Sequence, residues 1–337
     1  MKRPKIIPEE YGVETATVPQ ALHGRRLDAG AARLFDRHSR SKLQRWIAQG
    51  HLRVNSGITT LPRHKLRAGD ELCLRTPSAP ATEAAPQKIR LDVVYEDADL
   101  VVLDKPAGLT VHPGAGRPDR TLLNALLHRY PQVRRLDRGG LVHRLDKDTS
   151  GLLVVALSAR AQQRLVEAMA ARRVRREYDA LVVGVLPAGG TVRAAIGRHP
   201  RDRTRMTVLA NGRPAVTHYR VLERFARHTH LRVKLETGRT HQIRVHLAHI
   251  RHPVLGDPVY GGRAHRGAGL PEALRKRIAA FPRQALHARE LEFAHPVTGA
   301  ALAFTRGPPA DLRELLAALR AHARDVPSPR SKKGGRA

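Results

Sequence analysis

The chain of 337 residues holds one cysteine, Cys73, so no intramolecular disulfide and no cysteine-based zinc cluster can form. Aromatic residues are scarce, at 4%. No basic amphipathic stretch carries the aromatic anchors of a membrane-surface helix. No apolar run approaches the ~18 residues of a membrane span. The opening MKRPKIIPEEYG lacks the long apolar core of a secretory signal. Acidic residues are few, 30 against 61 Lys and Arg, which leaves a net charge of +31. Such an excess points to a polyanionic partner, and nucleic acid fits better than a membrane. A soluble, cytoplasmic protein is expected. Three common motifs are missing. There is no Gly-x-x-x-x-Gly-Lys-Ser/Thr loop for a nucleotide phosphate and no His-Glu-x-x-His. Gly114-Ala115-Gly116 lacks the third glycine and the helix of a dinucleotide fingerprint. His241, His246 and His249 have no accompanying carboxylate pattern, so no metal is expected.

What is present divides the chain. Residues 1–18 show no period and read as a flexible extension. Residues 19–75 read as a compact unit. Leu27, Ala31 and Leu34 recur at helical spacing, and Ser39 or Ser41 can cap a second helix with Leu43, Trp46 and Ile47 on its apolar face and Gly50 at its end. HLRVN reads as a short strand, and KLRAGDELCL as a strand pair about Ala68-Gly69-Asp70. Residues 76–88, TPSAPATEAAPQK, read as a linker. Residues 324–337 read as a disordered basic tail.

Residues 89–323 carry the larger domain. VVYED and LVVLDKP suggest two strands joined at Glu96-Asp97. A helix period begins at Leu122, and a second helix places Leu165, Val166 and Met169 inward. Arg172, Arg173, Arg175 and Arg176 crowd the end of that helix. Asn211-Gly212 between apolar strands signals a hairpin. A further helix starts near Gln242, and a closing helix lines up Leu312, Leu315, Leu316 and Leu319. The class is α+β, built on a largely antiparallel mixed sheet.

The centre of the chain is LVHRLDKDTSGLL, from Leu141 to Leu153. Asp146 sits there in a polar turn between apolar segments, near Arg144 and Lys147. A carboxylate held in that way suits chemistry, but these residues alone also fit a solvated loop.

Four stretches, KPAGLTVHP at 105–113, HRLDKDTSGLL at 143–153, REYDALVVG at 176–184 and LETGRTHQIRVHL at 235–247, together resemble the RluA family of pseudouridine synthases. The resemblance runs from residue 22 to about 320. The segment RRLDAGAARLFDRHSRSKLQRWIAQGHLRVN resembles the RNA-binding domain first seen in ribosomal protein S-four. RHPRDRTRM, GDPVYGG and RQALHA are in keeping with the members that modify a helix-end loop of large-subunit ribosomal RNA.

The resemblance implies an enzyme that isomerises uridine within RNA, needing one aspartate and no cofactor. That aspartate is Asp146, acting either on the anomeric carbon or on a ribose proton. Burial disfavours an ionised carboxylate, so a fixed cation is required, and by the family pattern Arg239 pairs with Asp146. Tyr178 matches the tyrosine that packs on the uracil, and Arg144 the residue that fills the gap left by the flipped nucleotide. Leu247 is expected in the pocket wall. Arg25, Arg26, Arg40, Lys42, Arg45, Arg172 and Arg173 are candidate RNA contacts. The partner is ribosomal RNA of the large subunit or a pre-ribosomal particle, and a monomer is expected. Two other classes share these features: a non-catalytic ribosome assembly factor, and an RNA glycosidase that cleaves without rejoining.

Overall fold

The computed structural model describes residues 12–36, 38, 40–76, 84–114, 119–261 and 269–325. The chain separates into two compact units, residues 1–81 and 82–337.

The first unit contains β1 (Gly12–Thr17), α1 (Leu27–Leu34), α2 (Arg40–Ala48), β2 (Leu52–Val54), β3 (Gly57–Ile58) and β4 (Glu71–Thr76). Its four strands run in the order β1-β4-β2-β3. Leu27 and Ala31 of α1 pack with Leu43 and Ile47 of α2 over Leu52, Leu72 and Leu74. Residues 12–17 are therefore not part of a free extension: β1 pairs along its whole length with β4, from Gly12 opposite Thr76 to Thr17 opposite Glu71. The β-branched Val13, Thr15 and Thr17 suit a strand at the edge of a small sheet. The remainder of the expected extension (1–11), most of the linker (77–83), most of the tail (326–337) and the proposed cap Ser39 lie outside the described residues. The end of the linker is fastened to the second unit, since Asn124 donates to the Ala85 carbonyl at 2.7 Å and Gln87 N donates to Asn124 O at 2.9 Å.

The second unit contains β5 (Val93–Glu96), β6 (Leu100–Lys105), α3 (Leu122–Arg129), β7 (Ser150–Ala156), α4 (Ala159–Ala170), β8 (Arg175–Val183), β9 (Gly190–Arg193), β10 (Ile196–Arg198), β11 (Met206–Val208), β12 (Val216–Arg224), β13 (His228–Leu235), α5 (Gln242–His249), α6 (Glu272–Ala280), β14 (Leu286–Ala294), β15 (Ala301–Thr305) and α7 (Ala310–Asp325). Nine strands form one sheet in the order β5-β6-β7-β14-β8-β13-β12-β9, with β15 beside the far half of β14. Among the described residues its one parallel pairing is β7 with β14. Side chains alternate across the sheet. Val101, Leu103, Leu153, Val155 and Ala180 join α3 and α7 on one face, while Leu100, Val102, Leu152 and Val154 pack with Ala161 and Leu165 of α4 on the other. On β8 the second face is charged: Glu177 and Asp179 meet Arg232, and Asp179 also meets Arg289.

The structure departs from the sequence pattern in two places here. Val166 is 50% exposed, because α4 turns Leu165 inward and leaves its neighbour in solvent. Asn211-Gly212 does not close a hairpin between its flanking strands. Instead β11 pairs back onto β10, and β12 lies between β9 and β13. A Cβ on Gly212 would come within 2.7 Å of the Ile196 backbone, so this glycine permits a close crossing.

Candidate active site

The loop from Leu141 to Thr149 is gripped from three sides. Its N-terminal arm bridges Leu141 to Val155, and the Val154 amide donates to His143 Nε2 at 3.1 Å. Beneath it, the buried Lys105 donates to the carbonyls of Pro106, Leu109 and Lys147 at 2.8, 2.9 and 3.0 Å. Burial pushes the Lys105 ammonium down to about 7, against the opposing charges of Asp146 and Asp148. From the far end of the chain, Arg283 donates to the Asp148 carbonyl at 3.2 Å, Gln284 to Thr149 Oγ1 at 3.2 Å, and Ser150 Oγ meets His287 Nδ1 at 3.0 Å. Arg283 is itself fixed by two bonds to Asp311 at 2.7 and 2.8 Å. Gly151 has φ +112°, and a Cβ there would fall 2.2 Å from the Ala288 carbonyl, so only glycine lets β7 approach β14 at this point.

The grip places Asp146, with a side chain 15% exposed, at a pocket of about 780 Å³. Its counter-ion is Arg244, whose Nη1 donates to Asp146 Oδ2 at 3.0 Å. The pairing expected from Arg239 does not occur: Arg239 lines the same pocket but sends its Nε to the Pro214 carbonyl at 3.2 Å. The physical reason lies in α5. Residues 242–247 are all buried, so Arg244 enters the interior, whereas Arg239 lies three residues before the helix. A buried guanidinium requires fixed acceptors. Asp257 supplies them, accepting from Arg244 Nε at 2.7 Å and Nη2 at 2.8 Å. Asp257 Oδ1 also accepts the Val259 and Tyr260 amides at 2.9 and 3.0 Å. Burial works against the Arg244 charge, but the bonds to Asp257 and the charges of Asp257 and Asp146 outweigh it and raise its pKa. Arg244 is thus a permanent, immobile cation.

Tyr260 braces Arg244 and His241 from behind the pocket lining. The Arg244 guanidinium lies 5.0 Å from its ring centroid. The Met206 amide donates to its hydroxyl oxygen at 2.9 Å, which leaves the hydroxyl proton for His241 Nδ1, also at 2.9 Å. With the Tyr260 hydroxyl as donor, the neutral His241 ring carries its proton on Nε2, the nitrogen 3.8 Å from Asp146 Oδ1. Burial lowers the His241 pKa and keeps the ring neutral, against the raising effect of Asp146.

Tyr178 rises from β8 into the pocket, buried on the face opposite Glu177 and Asp179. Desolvation raises its pKa, so it stands as a neutral phenol. Arg144 is exposed and also lines the pocket. Leu247 does not; it is fully buried in the core, and Leu235, Ile243 and Leu286 supply apolar wall instead. A fixed carboxylate, a permanent cation, a neutral phenol and a neutral imidazole thus line one pocket, where they can supply a nucleophile or base, charge stabilisation and an aromatic surface. Among the described residues no cluster of three or more metal-ligating side chains occurs.

Comparison with known proteins fits this geometry. Residues 99–249 match the model of the RNA pseudouridylate synthase family, and residues 25–72 match the S4 domain. The chain is 51% identical over 313 residues to ribosomal large subunit pseudouridine synthase D of Xanthomonas campestris pv. campestris, covering 93% of this chain and 94% of the relative. It is 53% identical over 304 residues to the protein of that name from Xylella fastidiosa, covering 90% and 92%. The chain belongs to the RluA family of RNA pseudouridine synthases. Among solved structures, human RNA pseudouridylate synthase domain containing 4 is similar to it with a TM-score of 0.53 and 28% identity, over 68% of this chain and 93% of that one.

The matched span of this pseudouridine synthase ends at residue 249 and so omits Asp257, Tyr260 and the 283–288 grip. These partners are what sequence reasoning missed. GDPVYGG and RQALHA were visible as motifs, but nothing in their spacing showed which face they meet.

The candidate RNA contacts fall into distinct groups. In the S4 unit Arg25 and Arg45 are exposed. Arg26 and Arg40 clamp the fully buried Asp28, at 3.0 and 2.8 Å, with Gln44 at 2.6 Å. Burial raises the Asp28 pKa, but these donors together bring it down to about 2. The Lys42 ammonium sits 4.6 Å from the Trp46 ring centroid. In the catalytic unit Arg172 pairs with Glu236 at 2.8 Å on the pocket edge, and Arg173 is exposed.

Proposed function

We propose that this enzyme isomerises uridines of large-subunit ribosomal RNA, free or within a pre-ribosomal particle, with Asp146 as the essential carboxylate. The observation that carries the assignment is the Asp146–Arg244–Asp257 array, in which Asp146 and Arg244 line the pocket and the enclosed Asp257 holds Arg244 from behind. The names of the relatives at 51% and 53% identity, the S4 match and the charge of +31 support the substrate.

The reaction breaks the bond between uracil nitrogen and ribose, turns the base, and joins ring carbon five to the same ribose carbon. A stacked base hides that bond, so the nucleotide must leave the helix at a cost of a few kcal/mol. Tyr178 offers an aromatic face to the extruded uracil, and Arg144 at the pocket edge can occupy the vacated stack. Asp146 then acts either on the anomeric carbon or on a ribose proton. Both routes need an anionic oxygen held still, and Arg244 holds Oδ2 while Oδ1 remains for the substrate. Rotation of the freed uracil needs a neutral, apolar enclosure, which Leu235, Ile243 and Leu286 provide. The enzyme works as a cytoplasmic monomer, with the S4 unit adding affinity for RNA.

Asp146→Asn tests this. It keeps the shape and removes charge and nucleophilicity. Tritium release from ribosomal RNA labelled at uracil carbon five should fall to background, with RNA affinity within a few-fold. Wild-type protein that releases no tritium from any large-subunit fragment, with Asp146→Asn still supporting ribosome assembly, would establish a binding factor instead. Abasic sites in place of pseudouridine would establish a glycosidase.

A further inference from the structure

Among the described residues of the second unit three arginines are buried: Arg176, Arg244 and Arg283, at 9%, 4% and 5% exposure. Arg244 has Asp146 and Asp257, and Arg283 has Asp311. Arg176 has no ion pair and no hydrogen bond among the described residues, and its Nε is completely enclosed. A buried guanidinium without an anion is strongly disfavoured, because it loses hydration and gains nothing in return. Its position is specific. Arg176 lies two residues before Tyr178 on β8, so both side chains leave the same face of the sheet, and both line the catalytic pocket. Its Nη1 lies 2.8 Å from where a Cβ on Gly238 would stand, so the missing side chain at 238 is what gives the guanidinium room.

The two carboxylates that share the pocket are engaged elsewhere, Asp146 by Arg244 and Glu236 by Arg172 and His218. Arg176 joins burial in driving His143 down to about 3, so that ring is neutral. Tyr178 is a phenol. We propose that Arg176 is a substrate-binding residue whose missing partner is a phosphate of the target nucleotide, clasped beside the uracil that Tyr178 receives. A planar fork of donors suits a phosphate, which brings both the charge and the acceptors that the site lacks. The protein holds an uncompensated cation in the free state, and the arriving RNA neutralises it. This rests on the assignment of the pocket to a flipped uridine.

The test uses the full chain with Arg176→Met and Arg176→Lys. Tritium release gives kcat and KM at several KCl concentrations, and thermal melting is followed without RNA. Arg176→Met should melt no lower than wild type, since an unpaired buried charge is gone. Its kcat/KM should fall roughly ten- to a hundred-fold, the loss expected for hydrogen bonds to a charged group. The slope of log kcat/KM against log salt should become shallower by about 0.7, one phosphate contact on a single strand. Arg176→Lys should keep the wild-type slope. A lower melting temperature with an unchanged slope would make Arg176 a structural residue and overturn the proposal. A raised KM with an unchanged slope would place the guanidinium on the base, which also overturns it. If wild type releases no tritium, the assignment of the pocket fails, yet the salt slope of equilibrium RNA binding still reports on Arg176.

Discussion

Arg244→Met removes one cation and strands two carboxylates. Asp257 is fully enclosed, with a side-chain exposure of 0%, and loses both of its guanidinium bonds; Asp146 loses its fixed partner. Removing one member of a buried pair costs ~3–5 kcal/mol. For a unit of this size each kcal/mol moves the melting temperature by about 2–4 °C, so a drop of roughly 6–20 °C is expected. Turnover should fall to background, because Asp146 is no longer held. Arg239→Met provides the contrast. Among the described residues its guanidinium makes one hydrogen bond, Nε to the Pro214 carbonyl, so melting should stay within about 1–2 °C. The decisive protein is the double variant Arg244→Met with Asp257→Asn. It contains no stranded buried charge at 257, so most of the lost stability should return, while turnover should not. Melting by calorimetry and tritium release from labelled RNA read the two effects separately. Wild-type melting in Arg244→Met, or restored turnover in the double variant, would refute the claim that Arg244 links Asp257 to the reacting carboxylate.

Two further substitutions separate chemistry from packing. Tyr178→Phe keeps the ring and should retain RNA affinity, whereas Tyr178→Ala should weaken it by the ~1–3 kcal/mol of one stacked base; fluorescence titration with RNA measures both, and near-normal turnover in the Phe variant would remove the hydroxyl from the mechanism. Lys105 introduces a pH dependence. Its folded pKa of about 7 lies below the ordinary 10.5, so between those values the unfolded chain binds more protons than the folded one, and the stability penalty, complete below pH 7, is relieved as pH rises. Lys105→Met removes that response, so the stability of wild type relative to the variant should rise between pH 7 and 10, by at most ~1.4 kcal/mol per pH unit; parallel denaturation curves across that range would contradict it.

Much of the candidate site was legible because the residues that line it sit in contiguous motifs. Asp146 in its polar turn, Tyr178 at the start of a strand and the helix from Gln242 all occur where local pattern placed them. The counter-ion was not legible in the same way. GRTHQIRVH contains two arginines five residues apart, and a motif match does not say which one faces inward. One signal was present: Arg244 lies within an apolar run, Ile243, Val245 and Leu247, and a charge enclosed in such a run needs a partner. Its partner, Asp257, is thirteen residues on, in a loop without any period. The hairpin at Asn211-Gly212 failed for the converse reason. The dipeptide usually reports turn conformation, but here Gly212 answers to the nearby backbone of Ile196, a tertiary contact that no local pattern records.

The parallel pairing of β7 with β14 has a consequence for how the enzyme comes into being. Ser150 and His287 are 137 positions apart, yet their contact anchors the loop that carries Asp146. A nascent chain that has emerged as far as residue 249 already contains every motif of the matched family span, but it has neither β14 nor Arg283 to close on that loop. Assembly of the centre must wait for the last quarter of synthesis, because β14 reaches β7 only then. A chain that ended before β14 would keep the S4 unit but lack the strand that anchors the Asp146 loop.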